Sequence, residues 1–391
     1  MARDAQGALA QAAKADARTD ALPLAGLALG VKDIIDATPY ATGCGSPIYA
    51  GTMPARDAAA VARLRDAGAV VMGKTVTTEF AFFSPGPTRN PYDRARTPGG
   101  SSSGSAAAVA VGAIDAGLGS QTAASITRPA SFCGVVGFKP SYGSYSLAGV
   151  KGLAPSFDTL GALSRDVATM AAVHAVLSNP LPAAPVAAAV TPRRVGVCRT
   201  PWWGKAEQAT RDANAAASAT FAGETEVEDV DMAAFEDAAA LHASIMAFEA
   251  AQTLACELAS QPDRLSPVLR GMLETGTRIG RDEHVRNLRR AEELRDRVQN
   301  LTDRYDVLLA PAAVGEAPRG LDATGDPIFS RAWTLLRLPT ITRPGFAGPA
   351  GLPVGVQLLS GLYDDERLLA HALWAERLLP RLAPPARYRS A

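Results

Sequence analysis

The feature that most restricts the fold is the stretch from 96 to 145, which contains RTPGGSSSGSAAAVAVGAIDAGLGSQTAASITRPASFCGVVGFKPSYG. It holds two clusters of small hydroxyl residues. One is Ser101, Ser102 and Ser103 behind Gly99 and Gly100. The other is Ser120, Thr122 and Ser125, followed by Thr127 and Arg128. Glycine and serine in a loop let backbone N–H groups approach a bound group closely. The intervening AAAVAVGAIDAGLG is small and apolar, and reads as a helix that neighbours can cover on all sides. A flexible Gly/Ser linker is the plain alternative, but few residues are linker-like and both flanks are apolar. The pattern predicts a rigid site lined by backbone.

Composition removes several classes of function. With 39 Lys+Arg against 39 Asp+Glu, no global field steers the chain to nucleic acid or to an acidic membrane surface. The N-terminal MARDAQGALAQAAKADARTD is charged throughout, unlike a signal peptide. No run approaches the ~20 apolar residues that span a bilayer. Cys44, Cys133, Cys198 and Cys256 form no CxxC pair and read as reduced thiols. A soluble, cytoplasmic protein is expected. His174, His242, His284 and His371 lie outside the hydroxyl clusters and have no metal-ligand spacing, so no metal and no cofactor are expected. Each reads as a packed or surface helix residue, which leaves a Ser–His–Asp arrangement without an obvious histidine.

Along the chain, helical patterns occupy 4 to 18, 57 to 67, most of 205 to 303, and ERLLAHALWAERLLP near the end. Strand patterns occupy 25 to 35, AVVMGKT, RRVGVCRT, 305 to 314, WTLLRLPTITRP and GLPVGVQLL. Proline and alanine around 179 to 192 mark a linker. Strands alternating with helices throughout argue a single α/β domain of mixed topology over residues 1–391. Lys32 interrupts an apolar strand. It is either an edge lysine reaching solvent or a buried lysine whose pKa desolvation lowers towards that of a base. Local sequence leaves both open. Gly68 to Thr75, GAVVMGKT, matches the P-loop expression letter for letter. Its context is wrong, because a helix precedes it and AVVM reads as strand, so nucleotide binding is set aside. Glu79 reads as a buried carboxylate that ties down its loop.

Taken together, Lys32 in GVKD, PGGSSSGSAAAVA at 98 to 110 and GSQTAASITRPASFCGVVGFKPSYG at 119 to 143 resemble the amidase signature family. The resemblance is good over about 24 to 160 and looser over 305 to 378; the helical region at about 205 to 303 is unmatched in detail. It implies a central mixed sheet covered by helices on both faces. It also implies a catalytic set of Ser125 as nucleophile, Ser101 as a serine preceded by a cis peptide, and Lys32 as base, with Gly100 and Ser102 supporting. Backbone N–H groups of Thr122, Ala123, Ala124 and Ser125 would hold the oxyanion. Physically, a serine needs a base to take its proton. A lysine serves only if neutral, hence buried and without a carboxylate partner. Asp33 is adjacent, but in a strand it faces the other way.

The chain departs from the family pattern in three places. Ala123-Ala124 stands where Gly-Gly is usual, which carries a penalty if either needs φ > 0. Gln121 stands where aspartate is common. The usual Ser-Ile-Arg-x-Pro is Ser125-Ile126-Thr127-Arg128-Pro129, with arginine one place later. That shift, with GDPIFSRAWTLLRLPTITRP at 325 to 344, is similar to the malonamidase branch, in which the arginine holds a substrate carboxylate. Arg128 is therefore either a carboxylate-binding fork or an arginine tied to structural acceptors. The expected function is a serine amidohydrolase of a small linear, malonamate-like amide, acting through an acyl-enzyme. The alternatives are a glutamine-dependent amidotransferase A-type subunit, an aryl-amide, ester or carbamate hydrolase, and a non-catalytic scaffold. The expected partner is a small-molecule amide, without nucleic acid or membrane; a homodimer is a family-level expectation.

Overall fold

The computed structural model describes residues 4–18, 20–178, 186 and 188–386. Among them, ten strands share one sheet: β1 (Ala28–Lys32), β2 (Val70–Thr75), β3 (Ala116–Gln121), β4 (Val136–Lys139), β5 (Thr159–Ser164), β6 (Arg194–Val197), β7 (Glu226–Asp229), β8 (Val307–Pro311), β9 (Thr340–Ala347) and β10 (Pro353–Leu359). The spatial order is β2-β1-β3-β5-β4-β9-β10-β8-β6-β7. Both outer thirds pair in parallel, and the middle, from β3 to β8, is antiparallel. Among the described residues twelve α-helices accompany it: α1 (Ala5–Asp16), α2 (Ala59–Asp66), α3 (Ser103–Ala110), α4 (Thr127–Cys133), α5 (Val167–Leu177), α6 (Gln208–Ala222), α7 (Ala238–Thr253), α8 (Ala255–Ser260), α9 (Pro267–Arg278), α10 (Arg281–Arg304), α11 (Ile328–Leu335) and α12 (Asp365–Leu378).

Helices cover both faces. α3 and α4 pack on each other and on the strands from β1 to β10, while α5, α6 and α12 form a second layer. α7, α9, α10 and α11 pack together beyond the sheet. α3 sits close against the strands because glycines stand at facing positions. A Cβ on Gly104 would lie 2.2 Å from the backbone nitrogen of Val76, and one on Gly119 2.9 Å from Ser102 Oγ. Larger residues there would push the helix off the sheet.

Three expectations need correcting. The apolar stretch between the hydroxyl clusters is a helix followed by a strand: α3 ends at Ala110, Gly112 takes φ 70°, and β3 begins at Ala116. β3 is buried on both faces, so its apolar run cannot be told from a buried helix by periodicity. WTLLRLPTITRP is likewise split. Its first part belongs to α11, Arg337 turns the chain at φ 65°, and β9 starts only at Thr340. Within the helical middle, Glu226–Asp229 forms the edge strand β7, whose charged side chains discourage further pairing. The expected linker at 179 to 192 falls largely outside the described residues.

Candidate active site

The site assembles where β1 and β3 end and where α3 and α4 begin. Lys32 is the last residue of β1 and is fully buried. Its Nζ donates to Ser101 Oγ at 2.6 Å and to Ser120 Oγ at 2.8 Å. Burial pushes its pKa down to about 7, opposed in part by the charge of Asp158. Among the described residues, no carboxylate pairs with it; Asp33 turns away and meets Lys74 Nζ at 3.3 Å. A substantial neutral fraction at physiological pH follows.

Ser101 follows the Gly100–Ser101 cis peptide, just before α3. Ser101, Thr122, Ala123, Ser125 and Arg128 share one narrow cleft with Ala81, Phe82, Phe83, Leu153 and Met246, a cavity of about 10 Å³. That is room for about one water. Ser102 ties the two hydroxyl clusters together. Its N–H donates to the Ser125 carbonyl at 3.2 Å, and its hydroxyl meets both the N–H and the carbonyl of Ser120 at 3.3 Å. Gln121 takes the place of a carboxylate acceptor: its Oε1 receives the N–H groups of Ile126 at 2.9 Å and Thr127 at 3.1 Å, fixing the turn into α4. Neither Ala123 nor Ala124 takes positive φ, so the missing glycines carry no backbone penalty.

Arg128 is buried, with its guanidinium 5.6 Å from the Phe83 ring centre. Its Nη1 donates to the Gly325 carbonyl, and Nη2 to the Gly100 carbonyl and Thr324 Oγ1, at 2.8, 2.8 and 2.9 Å. Its Nε is buried without a partner among the described residues. Desolvation pushes its pKa down to about 9, still charged at neutral pH. Both Nη2 protons are committed, so a two-point grip on a carboxylate would have to displace one acceptor.

Three site residues had no signal in the sequence. Asp158, in the turn before β5, accepts from Thr122 Oγ1 at 2.6 Å and from the N–H groups of Leu153 and Ala154. Burial raises its pKa to about 6 despite those bonds. His242, expected as an ordinary helix residue, is packed in α7, stacks on Phe157 and donates from Nε2 to the Thr122 carbonyl at 2.7 Å. Thr334, on α11, donates to the Ala123 carbonyl at 2.8 Å. Glu79 ties its loop to the start of α9 by accepting from the Ser266 N–H. Among the described residues, no His, Cys, Asp and Glu side chains converge as a metal site requires, and no helix is long and apolar enough to cross a membrane.

The fold and the sequence as a whole have counterparts among known proteins. The family described as Amidase matches residues 2–369, and the chain belongs to that family. It is an enzyme acting on carbon–nitrogen bonds of amides. The chain is 32% identical to the A-type subunit of a glutamyl-tRNA(Gln) amidotransferase from Oleidesulfovibrio alaskensis, over 97% of this chain and 90% of that one. It superposes at TM-score 0.90, with 30% identity, on a chain of an inhibitor-bound vestigial protein complex bearing on the evolutionary origins of an s-triazine catabolic enzyme, covering 98% and 92% of the two chains. The native peptide amidase from Stenotrophomonas maltophilia matches at TM-score 0.83 and 26% identity, covering 100% and 90%.

Proposed function

We propose that the chain hydrolyses a small linear amide through an acyl-enzyme on Ser125. The observation that carries this reading is the 2.6 Å bond from a buried Lys32, free of carboxylate partners among the described residues, to Ser101 Oγ, beside Ser125 in one cleft. Neutral Lys32 accepts the Ser101 proton while Ser101 accepts that of Ser125. Ser125 Oγ then bonds to the amide carbon, and backbone N–H groups of Thr122 to Ser125 hold the oxyanion. On collapse the C–N bond breaks, and the relay returns the proton to the leaving nitrogen. Ammonia or an amine departs, and water repeats the sequence to free the acid. Ser125→Ala should lower amide turnover by about 10⁴-fold or more; a variant with native turnover sinks the reading.

For the substrate, we infer a small amide that carries a carboxylate, of the malonamate type. Arg128 lines the cleft with its Nε unpartnered among the described residues, and the walls around it are largely apolar. One charge-assisted bond to Nε suits the occupied guanidinium better than a fork. A second reading, a glutamine-dependent amidotransferase component working with partner chains, is favoured by the names of the relatives, which match along 83–90% of their length in their full-length alignments. Turnover of a malonamate-type monoamide, glutamine and a neutral short amide separates these readings. Arg128→Ala should lower the preference for carboxylated over neutral amides about 10–100-fold. Equal turnover of all three, unchanged in Arg128→Ala, defeats the carboxylate reading. Dominant glutaminase activity with a co-purifying chain favours the second.

A further inference from the structure

The backbone N–H groups of Ala123, Ala124 and Ser125 have no partner among the described residues, although their surroundings are buried. Three successive unpaired donors in a buried place call for an acceptor. Their direction is fixed from outside the loop. In a planar trans peptide, the carbonyl of one residue and the N–H of the next point in opposite directions. The Thr122 carbonyl is held by His242 Nε2 at 2.7 Å, so the Ala123 N–H points away from α7. The Ala123 carbonyl is held by Thr334 Oγ1 at 2.8 Å, so the Ala124 N–H points away from α11.

We propose that His242 and Thr334 are positioning residues that aim the oxyanion-binding amides before substrate arrives. The inference rests on the acyl-enzyme reading above and adds residues from two helices far from the hydroxyl clusters in sequence. His242 suits the task. A carbonyl can only accept, so Nε2 carries the proton, and its Nδ1 is buried without a partner among the described residues. The ring is completely buried and stacks on Phe157 with ring centres 4.5 Å apart. Asp158 holds the Thr122 hydroxyl at 2.6 Å, so Thr122 is gripped at both carbonyl and side chain. Thr334 also accepts from Gln121 Nε2 at 3.2 Å, which ties its hydroxyl to the residue that orders the other end of the turn. Loss of either donor frees a peptide unit to rotate. The oxyanion then loses a well-aimed N–H, and the ground-state amide loses little.

The test compares variants that remove each donor with variants that restore it. His242→Phe keeps the stacking ring without a donor, and His242→Gln returns an amide N–H near Nε2. Thr334→Val keeps shape without a hydroxyl, and Thr334→Ser returns it. His242→Phe and Thr334→Val should each lower kcat about 10–100-fold, a part of what one lost oxyanion donor costs, with KM changed less than about threefold. His242→Gln and Thr334→Ser should recover at least half of the loss on a logarithmic scale. A boronic or aldehyde transition-state analogue should weaken in parallel with kcat. Native kcat in both donor-less variants, with native melting, overturns the proposal. So does a loss that appears in KM or that the restoring variants do not mend. If His242→Phe fails to fold, the Thr334 pair decides alone. Ser125→Ala run alongside separates the two levels: an inactive Ser125→Ala with fully active donor-less variants rejects only this inference, whereas an active Ser125→Ala rejects the acyl-enzyme itself.

Discussion

Two buried lysines, Lys32 and Lys139, make an instructive pair. Each is the last residue of its strand, and each is at most 1% exposed. Desolvation pushes both down to about 7, opposed by one carboxylate apiece, Asp158 for Lys32 and Asp365 for Lys139. Their acceptors differ. Lys32 donates to the hydroxyls of Ser101 and Ser120, whereas Lys139 donates to the carbonyls of Pro140 and Leu338 at 2.9 and 2.7 Å. A hydroxyl can hand a proton back, and a carbonyl has none to give. The depressed pKa therefore reports burial, and the partners decide whether the lysine can do chemistry. Lys74 adds a third case: it is buried too, but paired with Asp33, a carbonyl and Thr42.

The sharpest way to break this contrast is to remove each charge with a similar shape. Lys32→Met should lower kcat/KM about 10³–10⁴-fold, and Lys139→Met should stay within about threefold of native. Comparable losses in both would show that burial, not the hydroxyl partners, sets the role. The pH profile comes next. In the proposed mechanism Lys32 reacts in its neutral form, so kcat/KM should rise with pH through an acid limb with an apparent pKa near 7. Lys139→Met should keep that limb; a profile flat from pH 5 to 9 in the native enzyme contradicts the assignment. A smaller effect is expected of Ser120→Ala, which leaves Lys32 with Ser101 alone: about tenfold in kcat, the upper end of the worth of one hydrogen bond between neutral groups. The smallest is thermodynamic. Between about pH 7 and 10.5 the unfolded chain holds lysine protons that folded Lys32 and Lys139 have lost. Stability should therefore rise with pH across that window. The slope should be shallower in Lys139→Met, read as melting temperature against pH.

The local part of the candidate site was legible and the distant part was not. Lys32, Ser101 and Ser125 stand in short patterns whose glycines and hydroxyls have few other uses. Asp158, His242 and Thr334 act on atoms 36, 120 and 211 residues away, and nothing in their own neighbourhoods distinguishes them. Arg128 shows the intermediate case. Its shifted place marked it as unusual, but only the packing reveals that Gly100, Thr324 and Gly325 already occupy its donors. The element order was readable for most helices and strands with one wet face, but not for the short charged edge strand β7 within the helical middle. It also failed at β3, buried on both faces, and at α11, whose residues other than Arg331 are all buried.

The helix α7 carries Met246 into the wall of the cleft and His242, one turn earlier, onto the Thr122 carbonyl. In the proposed mechanism a single rod thus serves as both gauge for the acyl group and brace for the loop that reacts with it. Substitutions that shift α7 to admit a bulkier acid would also tilt the brace. Laboratory evolution for new substrates should therefore find its early gains elsewhere in the cleft lining, at Phe82 and Phe83, where shape can change without moving the brace.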